Sequence, residues 1–300
     1  MPKPEPHLLF DRALLAARLE RAYRTAPANP GADFLLRRAA EELADRLSLV
    51  RRVFAVAADV GAPGPHAAET LAARSGGGLT LRLAPSPLGV GRGAYASAVG
   101  DLESLPLAAE SCDLVVSLMA LHHVNDLPGA LIQIRRALRP DGLFLAALAG
   151  GDTLTELRQS LMIAESEILG GAAPRVAPFA EVRALGSLMQ RAGFALPVVD
   201  ADSVVARYDD LFALMRDLRA FGATNALTLR SRKPLRRAVL LRAASVYAER
   251  FADSDGRLRA TFDTIWLTGW APHESQPKPL KPGSAAMRLA DALNARKDDP

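Results

Sequence analysis

Val53 to Pro65 reads VFAVAADVGAPGP, and this stretch decides the fold. An apolar run of strand length ends in an acid, Asp59, and breaks at once into a loop of glycine and proline. An apolar run without polar alternation is what a strand covered on both faces requires. Four similar runs follow: LTLRL (79–83) after the triple glycine Gly76 to Gly78, ASAVGD (96–101), DLVVSL (113–118) and LFLAAL (143–148). A small-residue helical segment (67–74) separates the first two runs. A helix over 126–138 separates the last two, with Pro128 in its first turn and Pro140 beyond its end. Covered strands alternating with helices predict the α/β class, with a doubly wound, mostly parallel sheet.

On the amino side, residues 1–50 are expected to form an N-terminal helical segment of two helices. Asp11 caps the first, which carries Leu14, Leu15, Leu19, Ala22 and Tyr23 on one face. PANPG (27–31) breaks the chain, and Asp33 caps the second helix, with Leu36, Ala39, Leu43, Leu47 and Val50 at helical spacing. Beyond the core at 51–150, residues 151–270 are expected to add a helical lid and returning strands. The helices fall at 153–169, 178–191 (closed by Gly193), 211–221 and 235–251; the strands fall at 194–199, 203–208 and 261–270. A proline-rich tail, 271–300, ends in a helical pattern at 285–294.

The chain has 300 residues, 49% hydrophobic and 23% charged, which is a globular composition. Its longest apolar run, 142–150, is about half a membrane span, so no insertion is expected. One cysteine, Cys112, leaves no disulfide framework and no cysteine-based cluster, and is expected to be a small buried filler. Five of the 37 basic residues are lysine and the rest arginine, for a net charge of +4. The arginines are dispersed among acids as on solvated helix faces, so no nucleic-acid partner is expected. No secretory signal is visible, and a reducing, cytoplasmic setting is expected.

Three segments at the carboxyl ends of predicted strands can carry a ligand. Asp59-Val60-Gly61-Ala62-Pro63-Gly64-Pro65 can bring free N–H groups and close backbone to a cofactor, or can be a tight turn with no ligand. Asp101, followed by Leu102, can accept from an adenine amino group or cap a helix. Residues 117–123, with Ser117, Leu118 and His122, fall where a cleft floor would lie.

Taken together, acid-x-Gly, Gly-Asp-x-x-x-Leu-Pro, Asp-Leu-Val-Val-Ser and Leu-x-Pro-Asp-Gly resemble a Rossmann-like class I S-adenosylmethionine-dependent methyltransferase over about residues 53–150. FDRALLAARLERA (10–22), LHHVNDLPGALIQIRRALRPDG (121–142), GGDTLTELR (150–158), the tract 187–194 and GWAPHESQPKPLKPGSA (269–285) are similar to one branch: the mitochondrial complex I assembly arginine hydroxylases and their alphaproteobacterial relatives. The resemblance implies action on a respiratory complex I subunit during assembly. It also implies S-adenosylmethionine at Asp59, Gly61, Ala62, Gly64, Asp101, Leu102, Ser117, Leu118 and His122. The opening of the chain near the shared motif suits a bacterial cytoplasmic protein, working at the inner face of the inner membrane by peripheral association. No catalytic base stands out.

Three residues depart from the family's pocket. Pro63 and Pro65 stand where it has glycine, removing N–H groups and adding bulk. Ala84 stands where an acid would hold the ribose hydroxyls, a loss of roughly 1.5–3 kcal/mol, or one to two orders of magnitude in affinity. His123 stands where relatives usually carry tryptophan. A cofactor pocket changed at these points also suits a non-catalytic assembly chaperone, or a methyltransferase acting on a small molecule.

Other residues have plainer expected roles. His122 and His123 are expected to line the cleft or the core rather than to ligate a metal with Asp126 or with His273 and Glu274, because adjacent histidines seldom point at one ion. Trp266 and Trp270 share a sheet face and belong to the core. Glu156 and Arg158 contact a substrate arginine or form exposed ion pairs.

Overall fold

The computed structural model describes residues 8–28, 31–74, 76–91 and 93–277. Five strands run parallel: β1 (Val56–Val60), β2 (Leu79–Ala84), β3 (Ala96–Val99), β4 (Cys112–Leu118) and β5 (Leu138–Ala149). Then β7 (Leu258–Trp270) runs antiparallel between β5 and β6 (Ala195–Tyr208), which has the direction of the first five, giving the order β3-β2-β1-β4-β5-β7-β6. The order reverses between β1 and β4, so the carboxyl ends of these two strands open a crevice. The two strand-like pieces expected at 194–208 are one long strand, continuous with β7 along nearly its whole length through a single register shift near Ala195.

Two helical layers cover the sheet. On one face α2 (Phe34–Ser48) and α3 (His66–Arg74) bury Leu43, Leu47 and Leu71 against Leu114, Val116, Leu145 and Trp266. On the other, α4 (Leu127–Ala137) and α6 (Val182–Arg191) bury Leu131, Ile134, Leu185 and Met189 against Val115, Phe144 and Leu267. A third cluster joins α5 (Thr155–Leu169), α7 (Leu211–Ala220) and α8 (Arg237–Phe251) to the far ends of β6 and β7. With α1 (Arg12–Thr25), α5 and α7 enclose the carboxyl end of the sheet.

The caps follow the expected chemistry in part. Asp11 accepts from Leu14 N at 3.1 Å, and Asp126 accepts from Gly129 N at 2.9 Å. Asp33 stands at the N-cap of α2 without a capping bond; its carboxylate instead holds Arg37 and His66, at 3.0 and 2.9 Å. Gly193 closes α6 with φ +85°, a left-handed geometry that glycine adopts without strain. Trp266 is buried and Trp270 packs on the same cluster, with the Arg46 and Arg52 guanidinium groups 4.5 and 6.0 Å from their rings. The helical pattern at 285–294 lies outside the described residues.

The described part of the tail gains a structural account. Gln276 Nε2 donates to Asp141 Oδ1 at 2.9 Å and to Ala271 O at 2.8 Å, while Asp141 N donates to Ala271 O at 3.1 Å. Gln276 therefore staples the tail to the turn before the buried part of β5. That turn is at the opposite end of the sheet from the crevice, so His273 and Glu274 lie far from His122.

Candidate active site

A cavity of about 1130 Å³ opens at the carboxyl ends of β1, β3, β4 and β5. Gly61 and Pro63 form its floor, with Gly100, Asp101 and Leu102 on one side and Met119, His122 and His123 on the other. The roof is α1, with Leu15, Arg18 and Leu19, and the deep wall comes from Leu154, Leu157 and Leu161 of α5 and its approach. This volume exceeds that of a typical small-ligand pocket. Two non-glycine residues on its wall hold left-handed backbone, Met119 (φ +53°) and Leu154 (φ +56°). Such strain gathers at functional sites because the surrounding packing must sustain it.

Four of the nine residues expected to hold the cofactor line this cavity, Gly61, Asp101, Leu102 and His122, as do Pro63 and His123. Gly64 lines a smaller cavity of about 400 Å³ beside it, with Tyr23, His66 and Arg82. Ala62 is buried, and its carbonyl accepts from Arg82 Nη2 at 3.2 Å. Ser117 is fully buried and donates to Val60 O at 2.9 Å, tying β4 to β1. Leu118 belongs to the core under α2. Glu156 and Arg158 do not face the cavity. Glu156 is buried and accepts from Thr261 N (3.1 Å) and Thr261 Oγ1 (2.5 Å), joining α5 to β7, and Arg158 donates to the carbonyls of Gly151 and Thr153, both at 3.2 Å. Cys112 is buried, as a filler should be.

Asp59 is fully buried beneath the loop, and its charge neighbour is Arg82 from the paired position on β2, Nε to Oδ2 3.5 Å. Arg82 is itself 1% exposed and also donates to the Gly89 carbonyl. Its charge in the middle of LTLRL was the available signal for this pair. Burial pushes the Asp59 carboxyl up to about 7, against the lowering effect of Arg82 and of the Ala68 amide. Because the unfolded carboxyl titrates near 3.8, the folded state holds the proton longer, and stability falls as pH rises from about 4 to about 7. Asp59→Asn keeps the neutral form at every pH. In urea unfolding the parent chain is expected to lose stability relative to this variant between about pH 4 and about pH 7, whatever offset the lost partner of Arg82 adds; a difference independent of pH would contradict the assignment.

Asp101 is occupied from two sides. Its Oδ1 accepts from Glu103 N at 2.9 Å and its Oδ2 pairs with Arg12, which also reaches Glu103 Oε2 at 3.2 Å. Partial burial works against ionisation, but Arg12 and the Glu103 amide together hold this carboxyl below the usual range. Phe10, missed as a cavity residue, is 3% exposed and meets His123 edge-on, ring centroids 5.4 Å apart. The segment carrying it is stitched down by Asn125 Oδ1 (from Phe10 N, 2.8 Å) and by Thr228 N to Leu9 O at 2.9 Å. The FDR signature thus acts as a strap across the cavity.

Burial, and then the charge of its neighbour His123, put His122 well below the usual imidazole range; burial brings His123 down to about 4. Both rings are therefore neutral at physiological pH. His122 Nδ1 faces the Ala149 amide, which can only donate, at 3.4 Å, so the proton sits on Nε2.

The residues present fit an adenosyl cofactor at its adenine end and in volume. A Cβ on Gly61 (φ +77°) would lie 2.6 Å from Leu102 Cδ1, so the floor is a cradle that only glycine allows. Asp101 and its neighbours offer the acceptor. Of the positions expected at the ribose and methionine ends, Pro63 lines this cavity, Pro65 lines the smaller one and Ala84 is buried outside both; the prolines offer no N–H and Ala84 no carboxylate.

A family profile described as "Methyltransferase domain" matches residues 59–146. "Arginine-hydroxylase NDUFAF5, mitochondrial" of Danio rerio is 41% identical over 263 residues, covering 86% of this chain and 82% of that protein. "Malonyl-[acyl-carrier protein] O-methyltransferase" of Laribacter hongkongensis is 35% identical over 289 residues, covering 91% and 94%. Among solved structures, YcgJ of Bacillus subtilis covers 79% of this chain and 99% of its own with a TM-score of 0.54 and 15% identity, a likeness of fold alone. The sheet order, the methyltransferase motifs and this identity over most of both chains lead to one assignment: the chain belongs to the NDUFAF5 arginine-hydroxylase family, on a Rossmann-like class I methyltransferase fold.

Proposed function

We propose that this protein modifies an arginine of a respiratory complex I subunit during assembly of the complex, working in the bacterial cytoplasm at the inner face of the membrane. The identity to an arginine hydroxylase over 82% of that protein's length carries the reading, and the strained, roofed cavity supports it. S-adenosylmethionine is the proposed cofactor, held at Asp101, Leu102 and Gly61; when bound it supplies an electrophilic methyl group. Asp59, Ala62, Gly64, Ser117 and Leu118 are proposed to shape this site from behind rather than to touch the ligand. His122 lines the cavity as a neutral imidazole, and Phe10 with the strap excludes water. Hydroxylation needs a two-electron oxidant, which no side chain provides, so the chain's own part is to bind, orient and exclude.

One observation favours a second reading, that of a non-catalytic assembly chaperone. Arg82 and Asp59 meet each other inside the protein, and the loop above them carries Pro63 and Pro65. Mass spectrometry of complex I subunits from a deletion strain tests the main reading. One arginine-containing peptide is expected to lose the mass of one oxygen atom. Loss of a methylene mass instead would assign methylation, and unchanged subunit masses would overturn the enzymatic reading in favour of the chaperone.

A further inference from the structure

We propose that the cavity holds an oxyanion of its ligand, a phosphate or carboxylate group, on Arg18 of α1, with Arg21 as the second guanidinium behind it. This inference rests on the reading above only in taking the cavity as the working site.

The two arginines are three residues apart, on one helix face, and six or more residues beyond Arg12 along α1, so the site lies about 9 Å or more from the Asp101 end. Arg18 lines the cavity and donates through Nη1 to Thr224 O at 2.5 Å. Arg21 does not itself line the cavity; it reaches Thr224 Oγ1, on the cavity wall, at 3.4 Å, and its Nε is buried with no acceptor. Among the described residues neither guanidinium lies within 4.0 Å of a carboxylate, unlike Arg12 and Arg175 on the same cavity. Asp11, the acid whose charge favours the Arg18 cation, is already engaged by Arg230 at 3.1 Å and by the first turn of α1.

The neighbours make the deficit worse. Burial, then the charges of Arg230 and Arg21, work against the Arg18 cation; burial, then Arg219, work against Arg21. Half-buried cations crowded by cations and facing no anion are costly unless an anion arrives. A guanidinium pair is suited to an oxyanion, which accepts several charge-assisted hydrogen bonds at once. Leu15, Leu19, Leu157 and Met215 line the same cavity, so the ligand that brings this group has an apolar body.

The test is calorimetric titration of the full chain with inorganic phosphate and, separately, with succinate, at ionic strength held constant with sodium chloride. Saturable binding of at least one anion is expected, and the tighter one names the source. Arg18→Gln with Arg21→Gln is expected to weaken it by about tenfold or more, and Arg18→Lys with Arg21→Lys by less than about threefold. Arg24→Gln, on the exposed side of the helix, is expected to leave it unchanged. If the glutamine variant does not unfold cooperatively, the parent chain answers: phosphate or succinate should slow phenylglyoxal modification of Arg18 and Arg21. No saturable heat from either anion, equal affinity in the glutamine variant, or unprotected arginines would overturn the proposal. Anion binding together with unchanged complex I subunit masses would keep this site and overturn only the enzymatic reading.

Discussion

Arg82→Met is expected to lower the unfolding free energy at pH 7 by about 3–5 kcal/mol, the usual consequence of removing one member of a buried ion pair. Arg82 and Asp59 are 1% and 0% exposed, so solvent cannot compensate either of them. The substitution keeps the side chain's volume but takes the nearby cation from Asp59, whose carboxyl already titrates near 7 because of burial. It also strips the donor from the carbonyls of Ala62 and Gly89. Asp59→Val combined with Arg82→Met is expected to recover about half of the loss or more, since an apolar pair of suitable size replaces a buried ion pair at little cost. Denaturant unfolding of the four proteins in the cycle checks this. Additive losses would mean that the two side chains do not act as a pair.

Ala84→Asp alone is expected to tighten S-adenosylmethionine binding by about ten- to a hundredfold, and Pro63→Gly with Pro65→Gly to tighten it further. The two glycines return backbone donors and open the loop beside Gly61, where Pro63 lines the cavity. The aspartate returns an acceptor at the end of β2, next to Pro85 on the cavity wall. The glycine pair and the aspartate act on different ends of the ligand, so their effects are expected to add. Unchanged affinity in the triple variant would mean that these substitutions are not what sets cofactor affinity in this chain.

The fold was legible because it rests on local signals. The covered apolar run ending in Asp59, a capped helix behind Asp126 and the stop at Pro140 all act within a few residues, whereas the run ending in Asp101 is an exposed edge strand rather than a covered one. The site was legible only where it sits at strand ends, as with Gly61, Asp101, Leu102 and His122. Its roof comes from α1 and α7, distant in sequence, so nothing near Phe10, Arg12 or Arg18 marks them as cavity residues. Asp59 shows the reverse error. An acid at a strand end can face a ligand or a neighbouring strand, and the choice was made by Arg82, 23 positions on. The Gly269 to Pro277 signature, distinctive in sequence, serves the turn at Asp141 rather than the cavity.

Calorimetric titration of the parent chain with S-adenosylmethionine and S-adenosylhomocysteine bears most directly on the claim that the roofed cavity is a working cofactor site. Saturable heat is expected from both ligands, and Asp101→Ala is expected to weaken it by about tenfold, the loss of one charge-assisted acceptor. No heat and no thermal shift from either ligand at millimolar concentration would contradict it.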